Sequence, residues 1–149
     1  MPARDIYHDA VKAALNNDGW TVTHDPYRLD YGGKHAYVDL GAEREALDLM
    51  VAAERGTTRI AVEIKTFTGL SLLADLEQAV GQYLLYRTWM RRTEPERILY
   101  LANDQETATG VFAEEFGRVI ADDLQIHLIV VDMHAERIVA WKCYPATDR

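Results

Sequence analysis

The stretch RIAVEIK, residues 59–65, decides the fold. Its strict alternation sets Ile60, Val62 and Ile64 on one face of a strand and Ala61, Glu63 and Lys65 on the other. One face is apolar and ready for a core, while the other carries an acid and an amine side by side. Upstream, DLMVAAE (48–54) and the turn Arg55-Gly56-Thr57-Thr58 predict a hairpin with this strand as its second arm. With a four-residue turn Glu54 faces Arg59, so Met50 falls opposite Glu63 and Asp48 opposite Lys65. Asp48 then joins Glu63 and Lys65 on one face, although a loop one residue longer or shorter would turn it to the other side.

Working outward, Gly69 and a Ser71 N-cap introduce a helix over Leu72 to about Arg92, with Leu72, Leu73, Leu76, Ala79, Val80, Tyr83 and Leu84 as its core stripe. Beyond Pro95, ILYLA (98–102) reads as a strand, and a helix is expected from about Thr107 to Asp122. IHLIVVD and RIVAWKC close the chain as an antiparallel pair. On the other side of the deciding stretch, Pro2 to about Asn17 carries Ile6, Ala10, Val11, Ala14 and Leu15 at helical spacing, and Gly19 stops it. Trp20 to Asp25 alternates as a short strand closed by Pro26, residues 27–40 suggest a hairpin or a looped excursion about Gly32-Gly33, and Gly41 to Leu47 is helix-prone. This order predicts one mixed sheet with helices against it, an α/β (α+β) sandwich formed by a single domain over residues 1–149.

Composition narrows the function. A chain of 149 residues with 48% hydrophobic and 27% charged residues has enough apolar surface for a real core, which excludes disordered and collagen-like classes. No run is long enough to span a membrane, and the start MPARDIYHD lacks the apolar segment of a secretion signal, so a cytoplasmic location is expected. The single cysteine, Cys143, has no internal disulfide partner. Sixteen Lys+Arg against 24 Asp+Glu leave a net charge of −8, so any contact with DNA must be local, metal-bridged or partner-assisted.

Two acids and a lysine converging at one sheet edge suit phosphodiester hydrolysis. Carboxylates offer hard oxygen ligands to Mg²⁺ (or Mn²⁺), and an ammonium group can position a water or neutralise developing charge. By itself an E-x-K strand is common on solvated faces. Gln78, Gln82 and Tyr86 strengthen the chemical interpretation, because they recur every four residues on one face of the long helix and the glutamines need polar partners if buried. Arg87, Arg91, Arg92 and Arg97 cluster at and after the end of that helix, where they can grip phosphates or, for Arg91 and Arg92, compensate the helix dipole. Among the five histidines, only His8 on the first helix stands out as an acid, base or ligand should it lie near the carboxylates. No G-x-S-x-G, P-loop or G-x-G-x-x-G is present.

The blocks PARDIYHDAVKAALNNDGWTVTHDP, YVDLGAE, AAERG, IAVEIKTF, LEQAVGQYLLYR and TEPERILYLA resemble the XisH family, the fdxN element excision controlling factors, over Pro2 to about Trp141. Members are similar to the PD-(D/E)XK, restriction-endonuclease-like superfamily. The resemblance implies a restriction-endonuclease-like mixed central sheet flanked by helices, with Glu63 and Lys65 in the signature positions of the (D/E)xK strand. Gln82-x-x-x-Tyr86 resembles the helix motif of RecB-type nucleases. The first acid departs from the pattern: REALDLMV makes the segment between DLGAE and AAE longer by about five residues, so Asp39 keeps the family position while Asp48 has the hairpin geometry, and both stand as metal ligands with Glu63. For biology the resemblance implies a role in programmed excision of a DNA element, with a site-specific recombinase, an XisI-like protein and DNA as partners, nucleoid-associated action within the cytoplasm, and self-association left open. Either a metal-dependent endonuclease or a non-catalytic platform fits those expectations.

Overall fold

The computed structural model describes residues 3–45, 56–67 and 69–145. Its centre is a six-stranded mixed sheet in the order β1-β4-β5-β6-β7-β8. Helix α1 (Ala3–Asn17) leads into β1 (Thr21–His24), and β2 (Tyr27–Tyr31) and β3 (Lys34–Val38) form a separate hairpin. Gly32 and Gly33, at φ of 60° and 77°, supply the left-handed turn that the hairpin needs. β4 (Leu40–Glu45) then enters the main sheet beside β5 (Thr57–Ile64). After α2 (Leu72–Thr93) come β6 (Arg97–Asp104), a short α3 (Gln105–Thr107) running into a π-helical turn over Ala108–Phe112, α4 (Glu115–Leu124), β7 (Leu128–Asp132) and β8 (Arg137–Lys142). β5 pairs antiparallel with β4 and parallel with β6, β6 with β7 is parallel, and β7 with β8 antiparallel.

The alternation of residues 59–65 divides the core into two layers. Ile60 and Val62 pack with Val11, Leu15, Leu40 and Ile129 under α1, whereas Ala61 joins Leu76, Tyr83, Leu101 and Phe112 under α2. Glu63 therefore faces the α2 layer, as the period-two pattern requires. Ser71 caps α2, its side chain accepting from the Ala74 amide at 3.1 Å. Inside α2, the Tyr83 hydroxyl donates to the Leu99 carbonyl at 2.7 Å and accepts from the His127 amide at 3.1 Å, tying the helix to the strand edges beneath it.

Four expectations are corrected. The helix-prone residues from Gly41 onward form strand β4 as far as Glu45, because pairing with β5 overrides local propensity. A Cβ at Gly41 would stand 3.0 Å from the His24 Cβ, so the lack of a side chain lets β1 lie close. β5 takes β4 and β6 as its neighbours, and the register Leu40↔Val62 puts Asp39 across from Glu63 by one further step, whereas Met50 and the rest of the expected first arm lie outside the described residues. Asp48 lies outside the described residues. The helix expected over Thr107 to Asp122 is broken, since Glu114 is extended at φ −79° and ψ 150° and starts α4 as a new element. In α2, Leu72 and Leu73 are exposed, and the buried stripe instead continues through Arg87 to Met90.

Candidate functional site

Asp39 stands between the two sheets, at the point where the chain leaves β3 and enters β4. Directly opposite, Glu63 is the penultimate residue of β5. The acids are latched reciprocally: the Ile64 amide donates to Asp39 Oδ2 at 2.8 Å, and the Asp39 amide donates to Glu63 Oε1 at 3.3 Å. Each carboxylate is thus held by the backbone of the strand that carries the other, so neither can swing away without loosening the β4–β5 junction. Lys65 follows as the strand ends, its amide donating to the Ala102 carbonyl at 2.9 Å.

A cavity of about 680 Å³ opens over this pair, lined by Asp39, Glu63 and Lys65 from the sheet and by Gln78, Gln82 and Tyr86 from α2. His8 borders it from α1 and is fixed by Asp25, with Nε2 and Oδ1 2.7 Å apart. The structure therefore brings together Asp39, Glu63, Lys65, Gln82 and Tyr86 of the sequence-expected set. Sequence reasoning passed over Tyr7, Tyr37 and Thr66, which also line the cavity. Tyr37 alternates with Val38 on the hairpin strand, and that outward position was the available signal.

The electrostatics set two facing acids against each other. Glu63 is buried, and its carboxyl is pushed up to about 8, first by burial, then by the charge of Asp39 and the hydrogen bond shared with it, while Lys65 pulls it back in part. Among the described residues, Gln82 Oε1 is buried with no hydrogen-bond partner. A divalent cation fits this donor set, because it would relieve the repulsion of two facing carboxylates and suits hard oxygen ligands. Among the described residues no cluster of three or more His, Cys, Asp or Glu could hold a metal, so the protein side chains would supply two carboxylates, with backbone carbonyls and water completing the shell.

The shift of Glu63 gives a pH expectation. An unfolded glutamate titrates near 4.5 and the folded one near 8, so between those values the folded chain keeps a proton that the unfolded chain has lost. Stability of the metal-free protein then falls as pH rises through that window, by on the order of a few kcal/mol, and the loss is complete above it. Urea unfolding of wild type and Glu63→Gln at about pH 5 and about pH 9 reads this directly. The variant should lose less stability than wild type across the interval; equal losses would show that burial and Asp39 do not act on Glu63 as described.

A family model described as XisH protein matches residues 1–139. Among solved structures, the chain is similar to an XisH family protein from Nostoc punctiforme PCC 73102, with 33% identity and a TM-score of 0.79, covering 92% of this chain and 98% of that one. It is likewise similar to a fdxN element excision controlling factor protein from Anabaena variabilis, with 34% identity and a TM-score of 0.80, covering 93% of this chain and 98% of that one. No curated protein matches.

Proposed function

The chain belongs to the XisH family, and from that premise we propose that it serves in control of the excision of a DNA element through a Mg²⁺- or Mn²⁺-dependent phosphodiester-cleaving site of the PD-(D/E)XK type. The observation that carries this reading is the reciprocal latch of Asp39 and Glu63 at the mouth of a cavity that also holds Lys65. Asp39 and Glu63 are the metal ligands, and a cation bound there would supply Lewis-acid activation of the phosphate and of the attacking water. The Lys65 ammonium lies on the same face as Glu63, where it orients a water and offsets the negative charge that builds on the phosphate. Gln82 offers an unengaged buried oxygen to a bound water, and Tyr86 lines the cavity from the same helix face. His8, held by Asp25, is placed to exchange a proton at the cavity rim.

The test is cleavage of supercoiled plasmid by the purified chain with and without Mg²⁺ or Mn²⁺, compared with Glu63→Gln. Cleavage that needs the metal and is lost in the variant supports the assignment, and identical cleavage by both proteins contradicts it.

The net charge of −8 favours a second reading, in which the same domain is a non-catalytic platform that reaches DNA only through an XisI-like protein and a site-specific recombinase. On that reading the chain co-purifies with the XisI-like protein, and DNA affinity rises only in the complex. Unchanged affinity would count against it.

A further inference from the structure

A second cavity, of about 490 Å³, lies away from the carboxylates, between the C-terminal half of α2, the first residues of β6 and the chain that follows β8. Its volume is within the roughly 300–1,000 Å³ usual for small-molecule sites. The chain is acidic overall, yet this cavity gathers Arg87, Arg91 and Arg97. These are the arginines whose phosphate-gripping role the first site leaves unused.

The three are not equivalent. Arg97 is neutralised, its Nε donating to Glu94 at 2.9 Å and its Nη1 to the Ile60 carbonyl at 2.8 Å. Arg87 is only 9% exposed, and its Nη1 donates to the Gln125 carbonyl at 2.8 Å while the guanidinium lies 5.2 Å from the Tyr83 ring centre. Among the described residues no carboxylate pairs with Arg87. A buried guanidinium without a counter-ion is costly, and an anion entering the cavity would remove that cost. The positive field is felt by His127, whose pKa is lowered by burial and then by the charges of Arg87 and Arg91. His127 Nδ1 accepts from the Tyr144 amide at 3.0 Å, so the neutral ring carries its proton on Nε2 as a further donor.

The same cavity is lined by three rings, tilted about 40° from one to the next. His127 lies 5.4 Å from Tyr100 and 5.9 Å from Tyr144 between ring centres, and the Tyr144 hydroxyl is anchored on Asp122 at 2.6 Å. Guanidinium groups and aromatic rings lining one cavity suit a ligand that joins a phosphate to an aromatic base.

We propose that this cavity binds a phosphorylated nucleotide, with the phosphate on Arg87 and Arg91 and the base against the rings of Tyr100, His127 and Tyr144. The site is separate from the carboxylate pair and does not depend on its being a nuclease centre. The nucleotide is either free or the phosphorylated end of a DNA strand, since both present the same chemistry.

The experiment is calorimetric titration of the full chain with deoxyadenosine 5′-monophosphate in EDTA, which keeps metal-bridged binding at the other site out of the measurement. Wild type should bind the nucleotide at least about tenfold more tightly than deoxyadenosine, and Arg91→Gln should weaken it by about tenfold, the loss of one charge-assisted contact. Tyr144→Ala should weaken it by a smaller factor. A short single strand with a 5′-phosphate, compared with its 5′-hydroxyl form, then separates the sources: preference for the phosphorylated strand over the free nucleotide names a strand end, and the reverse names a free nucleotide, either result supporting the site. Absence of nucleotide binding, equal affinity for deoxyadenosine, or wild-type affinity in both Arg91→Gln and Tyr144→Ala would overturn it.

Discussion

Lys65→Ala should slow metal-dependent plasmid cleavage by on the order of 10²–10³-fold, the usual consequence of removing one preorganised charge from a site where negative charge develops. The effect should fall on turnover rather than on metal affinity. Lys65 lines the cavity with the two acids, but it is a cation and takes no part in holding one. Its charge acts on Glu63, pulling the carboxyl down against the upward push of burial and Asp39. Removing the amine leaves the latch between Asp39 and the Ile64 amide intact, so the thermal midpoint should move little. Single-turnover rates at saturating Mg²⁺ separate the two effects. Cleavage by Lys65→Ala at the wild-type rate would remove this residue from the chemistry, while a rate deficit rescued by more metal would make it a metal-site residue instead.

Gly117→Ala should destabilise the fold by about 3 kcal/mol, at the upper end of what overpacking a tight contact costs. A Cβ at this position would collide with the Val111 carbonyl oxygen and stand 2.8 Å from its carbon. Those atoms belong to the backbone of the π-helical turn, so no side chain can rotate out of the way. α4 would have to lift from the turn that carries Val111 and Phe112, both part of the α2-side core. Gly110→Ala is the control, because its Cβ would meet nothing within 4 Å, and alanine in a helical turn should be neutral or stabilising by up to about 1 kcal/mol. Urea midpoints of the two variants against wild type read the contrast. Equal stability of Gly117→Ala and Gly110→Ala would mean that α4 is not pressed against the turn.

What the sequence made legible follows from periodicity. The alternation of residues 59–65 fixed which layer Glu63 faces, and the spacing of Gln78, Gln82 and Tyr86 carried them to the same cavity. Gly32-Gly33 marked a hairpin that the structure contains. The partner strand was harder to read, because AERE after Gly41 has good helix propensity and the choice between Asp39 and Asp48 depended on a pairing that only tertiary contact decides. The same is true of the α3–α4 region, where apolar residues keep helical spacing across the break at Glu114. Arg87 shows a further limit: its helical position suggests a surface cation, and its burial against Gln125 and Tyr83 arises from the chain entering β7.

The central claim is that Asp39 and Glu63 form one cation site, and calorimetric titration of the metal-free chain with Mn²⁺ at a pH near 8 tests it most directly. Wild type should bind the ion and release part of a proton as Glu63 ionises, and both heat and proton release should disappear in Asp39→Asn and in Glu63→Gln. Mn²⁺ binding that survives in both variants with wild-type affinity, or no binding by wild type, would contradict the account.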